Sequence, residues 1–133
     1  MIRFHFKSKI NKRLEEFPEM KKGNWIEVVH PTKADMEQLV ELTGLKEADF
    51  KDALDDFEVP RIERINGHVI VFVRVPFEGK NSTYTRTLTL IVNGNYIISI
   101  ANFELDLIKS LLEQHSKLYT TQRSKLLLFI LIK

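Results

Sequence analysis

The chain has 133 residues, of which 44% are hydrophobic and 29% charged, with no cysteine and a net charge of +2. That length sustains one globular core without cross-links, and the missing thiols exclude disulfides, thiolate zinc sites and cysteine nucleophiles. A net charge so near zero gives no electrostatic case for nucleic acid as a partner.

The amino-terminal MIRFHFKSKINKR lacks the continuous apolar stretch of a signal peptide. Ile2, Phe4 and Phe6 alternate with Arg3, His5 and Lys7, the pattern of a half-buried strand. After a basic stretch and Gly23-Asn24, WIEVV at residues 25–29 is a second strand candidate. Thr32 can then cap a helix, with Asp35 three residues on as an imperfect capping box. Met36, Leu39, Val40 and Thr43 share one face of that helix, and Gly44 is placed to end it.

A second helix is predicted over the next stretch, LKEADFKDALDDFEVP, with Phe50, Ala53, Leu54 and Phe57 on its apolar face and Pro60 closing it. At 100° per residue, Asp52 lies about 150° from the centre of that face. Asp49 and Asp56 flank it on the outward side. Residues 35–58 hold nine acids against two lysines, a local −7 balanced by +9 elsewhere. The acidic side of the second helix thus turns away from its own core, so that positive charge is expected from outside the domain.

From Ile62 the period becomes that of strands. RIERI and VIVFVRV flank Asn66-Gly67, a strong hairpin turn signal. The run Val69-Ile70-Val71-Phe72-Val73 has no alternation and reads as covered on both faces. Residues 83–92 and 96–100 flank another turn, Asn93-Gly94-Asn95, so three antiparallel strands in a row are predicted. Phe103 onwards returns to helix, with Leu105, Ile108, Leu111 and Leu112 as its stripe. A last helix is predicted over residues 122–133 with Thr121 as its cap. Helices before and after a mixed, largely antiparallel sheet make an α/β/α sandwich in a single domain, residues 1–133.

The longest apolar run, LLLFILI at residues 126–132, has seven residues. A membrane-spanning helix needs about 20. The pattern is still running at Lys133, as in a chain cut from a longer protein.

Little here argues for an enzyme. His5, His30, His68 and His115 never fall at metal-ligand spacing and fit surface or loop positions. The glycines are scattered, and Ser99 and Ser124 lack a nucleophile-elbow context. The aspartate face admits three readings: a solvated helix surface, a docking patch for a basic partner, or a share of a divalent cation site. Hard Mg²⁺ or Ca²⁺ takes carboxylate oxygens, but one helix face cannot encircle an ion. The third reading therefore needs ligands from another subunit.

In order along the chain come WIEVVHPTKADMEQLVELTGL, FKDALDDFEVPRIER, INGHVIVFVRVP, LTLIVNGNYIISI and QRSKLLLFILI. With Trp25, Pro31, Gly44-Leu45, Asp52-Ala53-Leu54, Pro60-Arg61 and Glu63 in place, this series resembles the amino-terminal cytoplasmic domain of the CorA family of magnesium and cobalt transporters. The likeness covers roughly residues 25–133. It implies the regulatory domain of a homopentameric channel of the inner membrane, facing the cytoplasm. The two membrane helices and the Gly-Met-Asn signature of that family are absent from these residues. It further implies that Asp52 contributes to a Mg²⁺ site between adjacent subunits, with the partner carboxylate on a stalk beyond Lys133. Bound cation would then favour the closed state. Lys51 departs from the family, which often has an acid there, and so lowers the charge of such a site. Isolated, the domain is expected to be a monomer or weak dimer holding at most half of the site. The alternatives are a zinc-transporting relative and a stand-alone interaction module docking a basic partner.

Overall fold

The computed structural model describes residues 1–10, 12–55, 59–78, 83–115 and 117–131. Seven strands form one sheet: β1 (Ile2–Phe6), β2 (Glu15–Phe17), β3 (Asn24–Val29), β4 (Arg61–Ile65), β5 (His68–Glu78), β6 (Thr83–Val92) and β7 (Tyr96–Ala101). Their spatial order is β2-β1-β3-β7-β6-β5-β4. All pairings are antiparallel except β3 with β7, where Asn24 lies beside Tyr96 and Val29 beside Ala101. The predicted three antiparallel strands are in fact four, β4 to β7 in succession. The short β2 pairs with β1 inside the segment read only as basic.

Helices cover both faces. On one, Leu39 of α1 (Lys33–Thr43) and Phe50 of α2 (Glu47–Phe50) pack with Ile26, Val28, Ile70, Phe72, Ile98 and Ile100. On the other, Ile108, Leu111 and Leu112 of α3 (Leu107–Gln114) and Leu126 and Ile130 of α4 (Arg123–Leu131) pack with Trp25, Val71, Leu88, Leu90 and Ile97. The domain is therefore the α/β/α sandwich expected. Neighbouring residues of β5 alternate between the two apolar clusters, as its unbroken hydrophobic run requires.

Local chemistry sets the element ends. Thr32 Oγ1 accepts from Asp35 N–H at 3.1 Å, and Asp35 Oδ2 accepts from Thr32 N–H at 3.0 Å, a complete reciprocal box. Gly44, at φ +73°, closes α1 by donating to Val40 O. Asn66 and Gly67, at φ +48° and +79°, make the two-residue turn between β4 and β5.

Two helices are shorter than predicted. α3 begins at Leu107 rather than near Phe103. The second helix keeps α geometry only through Phe50 and tightens into a 3₁₀ turn at Asp52–Leu54, with Asp55 extended. Aspartate is a poor helix former, and the negative end of the helix disfavours further anions. In 3₁₀ geometry residues three apart eclipse, which keeps both Phe50 and Ala53 buried. Asp56, Phe57 and Glu58 lie outside the described residues.

Two histidines are not at the surface. His5 and His68 are both buried in strands. His5 stacks on Trp25 with ring centroids 4.4 Å apart, and its Nε2 lies 3.1 Å from Glu27 Oε1. His68 Nε2 meets the Tyr96 hydroxyl at 2.8 Å. Lys7, equally buried, donates from Nζ to the carbonyls of Leu112 and His115. It thereby places a cation on the negative end of α3. His5 and Lys7 thus face a carboxylate and a helix end rather than water.

Candidate functional site

Asp52 opens the 3₁₀ turn, and its side chain is 50% exposed. The outward orientation predicted for it is present. The expectation that its counter-charge comes only from outside is overturned: Arg61 Nη2 donates to Asp52 Oδ2 at 2.8 Å. The first residue of β4 thus reaches the acid nine positions earlier in the chain. Arg61 Nε also donates to Glu63 Oε1 at 2.6 Å, and the guanidinium lies 4.2 Å from the centre of the Phe72 ring. Residues 61 and 63 share a strand face, so two carboxylates flank one fork of donors. The Glu63 hydrogen bond, then that of Asp52, raises the Arg61 pKa above its ordinary value.

This arrangement presents Asp52 as half-exposed and tethered through one oxygen. A divalent ion seeking it would meet a carboxylate already shared with a guanidinium. Among the described residues no group of three or more His, Asp or Glu is placed to hold a metal ion. The donor chemistry suits a hard cation, and the number of donors suits only a share of its shell. Arg61 and Glu63 escaped sequence reasoning as parts of this cluster, although their period-two spacing beside Pro60 carried the signal.

Near Asp52, but without it as a wall, a cavity of about 350 Å³ opens between α1 and α2, lined by Met36, Glu47, Ala48, Phe50, Lys51 and Leu54. Asp49 is occupied locally, accepting from Lys46 N–H at 2.8 Å. The acids of this region therefore do not converge on one point. Among the described residues no helix is long and apolar enough to cross a membrane.

Residues 20–133 match the family model described as CorA-like Mg²⁺ transporter protein. Two similar solved structures come from Methanocaldococcus jannaschii. The complete CorA magnesium transporter is 19% identical with a TM-score of 0.69, over 86% of this chain and 36% of that one. The soluble domain of CorA is 17% identical with a TM-score of 0.70, over 89% of this chain and 48% of that one. At such identity these likenesses speak for the fold, and this chain spans less than half of either. No curated protein matches. With the family model covering most of its length, the chain belongs to the CorA-like Mg²⁺ transporter family.

Proposed function

We propose that this chain is the cytoplasmic regulatory domain of a Mg²⁺ transporter, and that Asp52 lends one carboxylate to a divalent cation site completed by a neighbouring subunit. Family membership supports the transporter context. The single observation carrying the site is the half-exposed Asp52 carboxylate, committed through one oxygen to Arg61 and otherwise turned outward. Mg²⁺ bound there would screen the repulsion between acidic surfaces of adjacent subunits. Such a cation regulates transport if closed and open assemblies bind it with different affinity. The partner subunits, in a pentamer by family likeness, supply the remaining ligands, and the domain alone binds the ion weakly.

Titration of the isotopically labelled chain with MgCl₂, followed by amide chemical shifts, tests this reading. The expected result is weak, saturable change centred on residues 51–53 and lost in Asp52→Asn. Tight stoichiometric binding abolished by Asp52→Asn would refute the shared site. No change at these amides at any Mg²⁺ concentration would remove Asp52 from cation binding altogether.

A further inference from the structure

The two edges of the sheet are built differently. β2 is three residues long with two glutamates, a short charged edge of the kind that resists pairing. β4 is a regular five-residue strand, and among the described residues its outer side pairs with nothing. Ile62 and the neighbouring Val59 are each 68% exposed.

The register identifies which backbone groups point outward. The two-residue turn makes Ile65 and His68 a hydrogen-bonded pair, and such pairs alternate along an antiparallel ladder. Ile65, Glu63 and Arg61 therefore spend their N–H and C=O groups on β5. Those of Ile62 and Arg64 face out.

We propose that β4 pairs antiparallel with β4 of a second copy of this chain, about a two-fold axis through Ile62. The charges select that register. An axis through Glu63 sets glutamate against glutamate, and one through Arg64 sets arginine against arginine. An axis through Ile65 leaves most of the strand without a partner. Through Ile62, Arg61 lies opposite the second copy's Glu63 and Glu63 opposite its Arg61, on the face that carries Phe72. On the other face the two Ile62 side chains meet and extend the apolar row that continues inward to Val71. The reciprocal Ile62 hydrogen bonds form the centre, and each Arg64 N–H reaches the second copy's Pro60 carbonyl. Pro60, which cannot donate, costs the pairing only its outermost bonds. The contact is isologous and closes at two copies, so it joins chains of two different ring assemblies rather than neighbours within one ring. It is also weak, since an edge contact of this length falls below about 1,200 Å².

Sedimentation equilibrium of the chain from micromolar to millimolar concentration tests the proposal, alongside Ile62→Pro, Ile62→Lys and Glu63→Arg. Proline at 62 removes the outward N–H and leaves the bonds to β5 intact. The expected result is a monomer–dimer equilibrium weakened about ten-fold or more in each variant, with circular dichroism verifying the fold. Because the chain lacks cysteine, Ile62→Cys gives an independent reading. Paired Cα atoms about 5.5 Å apart are within disulfide range. Oxidation should cross-link Ile62→Cys at least about ten-fold faster than Ile10→Cys, whose side chain is 98% exposed but remote from the strand. A monomer at millimolar concentration, an oligomer insensitive to these variants, or equal cross-linking rates would each overturn the proposal.

Discussion

Arg61 donates to Asp52 at 2.8 Å and to Glu63 at 2.6 Å, so one guanidinium holds the 3₁₀ turn against the edge of the sheet. Any cation using Asp52 competes with this internal partner. Arg61→Gln should raise the Mg²⁺ affinity of the chain by roughly two- to five-fold, the range spanned by an exposed ion pair. Calorimetric titration checks this, and an unchanged or weaker affinity would show that Arg61 does not compete.

Lys7 closes α3 from beneath, its ammonium on the carbonyls of Leu112 and His115. Burial lowers its pKa, and its hydrogen bonds and the negative helix end offset the cost of holding the charge there. Lys7→Met should destabilise the fold by about 2–3 kcal/mol, from the lost helix-end charge and the lost charge-assisted hydrogen bonds to the Leu112 and His115 carbonyls. Urea denaturation measures it. A loss below the error of that experiment would contradict this role.

Glu27 carries a pH dependence. Burial pushes its pKa up, but the hydrogen bond and charge of His5, together with Arg3, outweigh burial and leave the value below 4.5. A carboxylate with a lowered folded-state pKa contributes stability that is fully present above its unfolded value and lost as pH falls through the folded value. Wild type should therefore lose more stability between neutral pH and acid than Glu27→Gln does. Urea midpoints across pH 7 to about 3 report the difference, and parallel curves would disprove it.

Gly23 sits at φ +93°, where an added Cβ would lie 2.9 Å from Thr121 Cγ2 and 3.3 Å from the Phe6 ring. Gly23→Ala should cost about 1–3 kcal/mol through backbone strain and overpacking. Gly44→Ala has no such neighbours within 4 Å, only the positive φ, and should cost less. Thermal melts of the two variants rank them.

What the sequence revealed follows from the range of each interaction. The reciprocal Thr32–Asp35 cap, the Gly44 stop and the Asn66-Gly67 turn act within a few residues, so their side chains announce them. The double-sided burial of β5 was equally readable from its unbroken apolar run. His5 and Lys7 were not, because alternation marks a polar face without saying whether water, a carboxylate or a helix end covers it. Here Glu27 and the end of α3 do. The second helix was overextended because apolar spacing at three and four residues fits α and 3₁₀ geometry alike. The outward placement of Asp52 was readable from helix spacing, but its pairing with Arg61 was not, since that contact joins a strand residue to a 3₁₀-turn residue nine positions earlier.

The lone parallel pairing, β3 with β7, joins residue 24 to residue 96 and residue 29 to residue 101. During synthesis the first three strands therefore wait for most of the polypeptide to emerge before they can dock in the sheet. Closing so long a stretch of chain is entropically costly and slows the search. The hairpins from β4 to β7 form a local platform that can assemble first. From this topology the amino-terminal third should add to it late in folding, and a nascent chain ending before Ala101 lacks the complete template.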